Sequence, residues 1–224
     1  MHLKGRGTRG RFLVPSGIFR RGIIIYVERG TVPSFHFNAE GENGMDMKRR
    51  ELLETLKTRL ETDDGIGEIS LFTAQELNSP VDILRAELTE FGPDLVSRLG
   101  EFFFLPSEDE GLMYFTTVIT LSGSVPREAV PDVAAAVARL NYYIPCGCYA
   151  LGDDDKNLIY RYTALLTDAK EKQMPGEMVV SAALTALSTA EKYLSFLLLV
   201  LNNEISVEEM VGMILGKNNP VSRT

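Results

Sequence analysis

The sequence predicts an α+β fold in which an antiparallel sheet is flanked by helices. Three observations lead to this prediction: segments with apolar residues at helical spacing, segments of strand length that alternate or are apolar throughout, and polar turns that join strands as hairpins. The predicted order of elements is α-β-β-β-β-α-β-β-α-α. Because no long linker or repeat interrupts this order, we expect a single domain over residues 45–218, followed by a short tail over 219–224.

The first predicted helix starts at about Met47, where leucines begin to form one stripe of a helix: Leu52, Leu53, Leu56 and Leu60. Asp63-Asp64-Gly65 ends it. Four strands are predicted next, over residues 66–74, 83–90, 98–105 and 112–121. The last two are apolar on both faces, so we expect them to lie centrally in the sheet or to be covered.

The second half of the predicted domain, residues 45–218, contains one more hairpin and three more helices. These are a helix over 126–143, two short strands joined by the polar turn "DDDKN" at 153–157, a long amphipathic helix after Gly176, and a short helix over 207–215. Ser206 and Glu209 have the spacing of a capping box, which places the start of the last helix.

The first 44 residues differ from the rest, with a charge balance of +4 against −12 for the remaining chain. "GRGTRG" has the letters of a dinucleotide-binding fingerprint, but no strand precedes it. We expect a basic, disordered leader. One alternative is that it binds RNA through its Gly/Arg pairs. Another is that it is translated leader sequence and the native start is Met45 or Met47, because Glu40-Gly41-Glu42 is compatible with a purine-rich ribosome-binding site.

Composition indicates in which cell compartment the protein is expected and which classes of binding partner are disfavoured. An acidic main part disfavours nucleic acid and anionic membrane as partners, because Lys and Arg drive binding to both. Two cysteines provide no disulfide framework, and no secretory signal is recognised, so a cytoplasmic location is expected. The most apolar run, residues 194–201, is shorter than the roughly 20 residues that cross a bilayer, and no transmembrane helix is predicted.

Several features of residues 137–200 carry a family resemblance: Leu140-Asn141 at a helix end, Gly147 before a short strand, the acidic turn at 153–155, the strand Tyr160-Arg161-Tyr162, and a closing helix with Ala190 and Tyr193. This stretch resembles the bacterial YbjN-like proteins, or sensory transduction regulators, which share a fold with type III secretion chaperones. The sequence departs from them in the apolar residues around Phe103 and in an additional C-terminal helix. The resemblance implies a compact protein-binding or regulatory domain, usually paired, without catalytic residues.

No catalytic residue, cofactor or metal site is predicted. Both histidines, His2 and His36, fall in the leader, which removes serine- and cysteine-histidine mechanisms from the main part. Cys146 and Cys148 are interpreted as small residues at a strand start, and the alternative is a four-cysteine site shared by two chains. The turn at 153–157 lacks the glycine and glutamate of a calcium loop.

Surplus apolar residues predict a surface for a partner or a second subunit. Three consecutive phenylalanines cannot all face one side of a strand, and residues 194–201 exceed one helix stripe. The residues proposed for this surface are Phe102, Phe103, Phe104, Tyr160, Leu194 and Leu198. Together with the family resemblance, this predicts a non-catalytic, chaperone-like protein-interaction or regulatory domain that forms a homodimer. The alternative is a small-molecule or metal-responsive regulator, or an enzyme that uses carboxylates such as Glu87 and Asp153.

Overall fold

Six strands form one antiparallel sheet in the computed structural model, which describes residues 39–107, 111–152, 157–167 and 175–217, with side chains from Gly44 onward. The strands are β1 (Ile66–Phe72), β2 (Ile83–Phe91), β3 (Val96–Leu105), β4 (Leu112–Ser122), β5 (Cys148–Leu151) and β6 (Leu158–Thr167). Their order across the sheet is β1-β2-β3-β4-β6-β5, and every neighbouring pair is antiparallel. The α+β class with an antiparallel sheet and helices is therefore confirmed.

In these described ranges, five helices accompany the sheet: α1 (Ala39–Leu60), α2 (Ala74–Leu77), α3 (Val130–Leu140), α4 (Pro175–Leu201) and α5 (Val207–Ile214). The helix α1 begins earlier than the predicted start at Met47. The short helix α2 was not predicted, and it replaces the end of the predicted strand over 66–74. Its first turn is fixed by a capping box, in which Thr73 and Glu76 bond each other's backbone N–H groups.

The two strands that are apolar on both faces lie in the middle of the sheet, as predicted. Strand β3 pairs with β2 and β4, and β4 pairs with β3 and β6. Phe102 and Phe104 of β3 both contact the ring of Phe115 on β4, with ring centroids 6.5 and 5.4 Å apart. These aromatic contacts lie at the centre of the hydrophobic core.

The described helices that contribute to the core pack on one face of the sheet. Helix α1 lies over β1 to β3, α4 over β4 and β6, and α3 over β5, while α5 packs on α3 and α4. The core residues of the strands alternate with residues outside the core, as period-two geometry requires. One face of the sheet is therefore a helix-covered core face.

Helix α4 is the central core helix. With 27 residues and a mean hydropathy of 1.4 over its most apolar window, it is the one described helix whose length and composition would suffice to cross a membrane; 39% of that window is buried. Core helices have the same composition, and residues along α4, from Val179 to Val200, are buried in the core. The surplus of apolar residues at 194–201 is explained by the packing of α3 and α5 against α4.

The predicted leader over residues 1–44 lies outside the described residues up to residue 38, and residues 39–44 form the start of α1. Its interpretations as leader or RNA-binding segment stay predictions. The predicted tail over 219–224 also lies outside the described residues. The described residues belong to one compact unit, Phe37–Thr224.

Candidate functional site

The second face of the sheet, which points away from the helices, carries side chains in rows that cross several strands. Strand register defines each row, because antiparallel partners project to the same side. One row contains Phe72, Ile83, Phe103, Thr116 and Thr163. We call these outward-facing residues the second face. Among the described residues, no helix of the core packs on it.

An apolar row occupies one end of the second face. Leu105 of β3 is opposite Tyr114 of β4, and Tyr114 is opposite Leu165 of β6. Leu105 and Tyr114 are half-buried, whereas Leu165 is 53% exposed. Phe103 and Ile83 lie beside this row and are buried. Exposed apolar residues mark surfaces that contact another protein, and in this strip the exposed residue is Leu165.

A charged row lies next to the apolar residues. Arg85 of β2 forms a salt bridge with Glu101 of β3, with 2.8 Å between Nε and Oε1, and both side chains are largely buried. The guanidinium of Arg85 also lies over the ring of Phe72, 5.5 Å from its centroid. In the same row, Arg161 of β6 is exposed. The second face therefore combines an apolar strip with fixed charges.

Four of the six residues predicted for the partner surface are buried in the core and not on the second face, which corrects that prediction. Phe102, Phe104, Tyr160 and Leu194 are buried in the core, because the strand residues face the helices and Leu194 packs toward the β2–β3 turn near Gly92. Leu198 is half-buried against the same core.

Only Phe103 projects onto the second face, and it is 5% exposed. The residues that sequence reasoning missed are Leu105, Tyr114 and Leu165, which the strand register joins into one row.

The outer edge of β6 is open along part of its length. Strand β5 covers β6 only from Leu158 to Arg161, where Cys148 is opposite Arg161. Just before Cys148, Gly147 has a φ of +68° and turns the chain toward α4, where the Sγ of Cys146 lies 3.4 Å from the Oγ1 of Thr189. From residue 162 to 167, no described residue pairs with β6 on the side away from β4.

A polar cluster inside the core anchors the start of β5. The hydroxyl of Tyr160 donates to the carbonyl of Cys146 at 3.0 Å, and the hydroxyl of Tyr149 donates to the carbonyl of Ala190 at 2.7 Å. Burial raises the pKa of both tyrosine hydroxyls above the ordinary value. Both phenols therefore stay protonated at neutral pH and act as structural donors.

The two cysteines lie on opposite sides of the sheet. Cys146 is half-buried on the helix side, and Cys148 is exposed on the second face, since its neighbour Tyr149 faces the core. Within the described ranges, no group of three or more His, Cys, Asp or Glu side chains is placed to hold a metal ion. Glu87 is half-buried on the second face, whereas Asp153 lies outside the described residues.

An open groove of about 730 Å³ runs between α1 and α4. Hydroxyl-bearing and apolar side chains line most of it, including Thr55, Ser181, Leu184 and Thr185. Small and short side chains on two packed helices leave such a space without any specific ligand. Arg59 and Glu177 are the charged residues among those that line it, so the groove offers few charged groups for orienting a substrate.

Compared with protein-family models and with curated proteins, the chain matches none. The resemblance to YbjN-like proteins and secretion chaperones therefore stays a prediction from the sequence.

Proposed function

We propose that this chain is a non-catalytic, chaperone-like protein-interaction domain that works as a homodimer and binds a segment of another polypeptide on the second face of its sheet. The resemblance to YbjN-like proteins implies a function of the same class. The observation that carries the proposal is the apolar row Leu105, Tyr114 and Leu165, which lies on the face of the sheet opposite the described core helices and in which Leu165 is 53% exposed.

The chemistry of this face suits a polypeptide ligand. An apolar row binds alternate side chains of an extended segment or one side of an amphipathic helix. The salt bridge between Arg85 and Glu101 is held by the sheet and by Phe72, and it lies beyond the row of Phe103, so it provides a fixed polar boundary to the apolar part of this face. Rigid boundaries of this kind select among partners more than they add affinity.

Site-specific photo-cross-linking in the protein's own cells tests the proposal. Tyr114 is replaced by photoreactive benzoylphenylalanine, which preserves an aromatic side chain on the apolar row. Tyr142 is 83% exposed and lies after α3, away from this row, so the same replacement there is the matched control. We expect Tyr114 to give a discrete polypeptide adduct that Tyr142 does not give.

A second variant shows whether the adduct depends on the apolar row. Leu105→Asp introduces a charge next to Tyr114, and Met47→Asp introduces the same charge on the exposed side of α1, where the methionine is 64% exposed. We expect only Leu105→Asp to remove the adduct while both variants stay folded by circular dichroism. Equal adducts at Tyr114 and Tyr142, or none at either position, would refute binding on the second face.

A further inference from the structure

We propose that the homodimer forms by antiparallel pairing of the open β6 edge with the same edge of a second copy, with the two-fold axis at Leu165. This inference rests on the proposed homodimer and names the segment that forms it. The open edge segment, residues 162–167, reads "YTALLT" and contains no charge and no proline. An uncharged strand edge without these protections is a pairing site.

The other outer strands of the described sheet are protected. Strand β1 has a register break between Ile66 and Ile69, with Glu68 in the break. Strand β5 has only four residues, and the side-chain amide of Asn141 bonds both the N–H and the C=O of Tyr149, at 2.8 and 2.9 Å. A bulge, a charge, a short strand and a capped backbone are all ways to prevent edge pairing. The open edge segment has none of them.

The bonds of Asn141 also determine which groups of β6 point outward. The backbone N–H and C=O of Tyr149 point away from β6, so the backbone N–H and C=O of the neighbouring Cys148 and Ala150 point toward β6. The backbone groups of their partners, Arg161 and Ile159, therefore point toward β5. The β4–β6 register is unbroken over residues 159–167, so the alternation continues. The backbone N–H and C=O groups that face outward belong to Thr163, Leu165 and Thr167.

These outward groups are self-complementary about one residue. With a two-fold axis at Leu165, each Leu165 bonds the partner's Leu165, and Thr163 bonds the partner's Thr167. All three outward residues then take part in hydrogen-bonded pairs. A register centred on Ala164 would instead place Arg161, whose backbone already faces β5, opposite the partner's Thr167. The centre at Leu165 therefore satisfies more of the edge.

The same register joins the apolar rows of two copies. The row Leu105, Tyr114 and Leu165 ends at the open edge, where Leu165 is 53% exposed. Pairing at Leu165 places the partner's Leu165 next to it, and the row continues across the second copy. The exposed leucine is then covered, and the proposed binding row doubles in length. Within residues 163–167 of the two copies, which form the seam, no charged side chains face each other.

Disulfide trapping tests the seam in a chain that carries Cys146→Ser and Cys148→Ser. A hydrogen-bonded antiparallel pair has a Cα–Cα distance of about 5.5 Å, which lies within the range of a disulfide. We expect Leu165→Cys to give, under an added oxidant, a covalent species of twice the 24.9 kDa chain mass.

The matched control is Thr163→Cys, also exposed on the second face. In the proposed register its own counterpart lies four residues away, about 13 Å along the strand, so it should not cross-link alone. A mixture of Thr163→Cys and Thr167→Cys chains should cross-link.

Two outcomes would overturn the seam: Thr163→Cys alone cross-links as readily as Leu165→Cys, or Leu165→Cys gives no covalent species although light scattering finds two chains for the wild type. In the second case the homodimer stands with a different seam. A wild-type protein that stays a single chain over the tested concentrations would overturn the homodimer as well. An adduct at Tyr114 counts as partner binding only if its added mass differs from that of a second copy of this chain, which keeps that test separate from the dimer.

Discussion

Gly147 immediately precedes β5, which pairs with the edge of β6, and replacing this glycine with alanine should strongly destabilise the fold. Its φ of +68° lies in the left-handed region, which costs a residue with a Cβ about 1–2 kcal/mol. A Cβ at this position would also lie 2.2 Å from the hydroxyl oxygen of Tyr160 and 2.8 Å from the carbonyl oxygen of Arg161. The added methyl group therefore meets both a buried ring and rigid backbone.

The magnitude follows from what must move. Overfilling a packed core costs about 1–3 kcal/mol, and displacing Tyr160 loses its hydrogen bond to the carbonyl of Cys146, about 1 kcal/mol more. Gly147→Ala should then lower the free energy of unfolding by about 3–6 kcal/mol, a large part of the 5–15 kcal/mol of a typical domain. Urea denaturation followed by circular dichroism measures this loss.

Two other glycines separate the cost of the left-handed backbone conformation from the cost of steric overlap with Tyr160. Gly216 has a φ of +65° with open space around its Cβ position, so Gly216→Ala should show the backbone cost alone, about 1 kcal/mol. Gly123 has open space and no positive φ, so Gly123→Ala should change stability by less than about 0.5 kcal/mol. If Gly147→Ala costs no more than Gly216→Ala, the described contact between Gly147 and Tyr160 is wrong.

Two further predictions concern buried polar groups. Arg98 donates to the carbonyl oxygens of Leu121 and Phe91 and binds Asp94 through two oxygens, so Arg98→Met should cost about 3–5 kcal/mol in urea denaturation; a loss below 1 kcal/mol would contradict this role. The raised pKa of Tyr149 stabilises the fold below about pH 10, and this contribution is lost above it because the unfolded phenol ionises. Stability should therefore fall less steeply above pH 10 in Tyr149→Phe than in the wild type, and an unchanged slope would count against the buried position of this phenol.

Much of the fold could be predicted from local patterns. Period-two and helical spacing located the strands and the long helices, and apolar residues on both faces indicated that β3 and β4 are central. The capping box of Ser206 and Glu209 correctly placed the start of α5. The same signal at Thr73 and Glu76 could have revealed α2, but its four residues are too few to show a helical period.

The candidate surface was harder to predict, because alternation tells which residues share a face but not which face the helices cover. Alternation requires Phe103 to face the opposite side from Phe102 and Phe104 without saying which side is the core, and the position of the helices decides that Phe103 alone of the three faces outward. Tyr160 is a core residue because it projects to the helix side of β6, where Cys146 accepts the hydrogen bond of its hydroxyl. The apolar row and the open edge depend on strand register and on Asn141, which are contacts distant in sequence.

Native mass spectrometry of the protein isolated from its own cells gives, in one spectrum, the number of chains in the assembly and the mass of any bound polypeptide. We expect a species of two chains, each of 24.9 kDa, alone or with the added mass of another polypeptide. A spectrum that contains only single chains, free of any polypeptide at the concentrations found in the cell, would contradict a homodimeric protein-interaction domain.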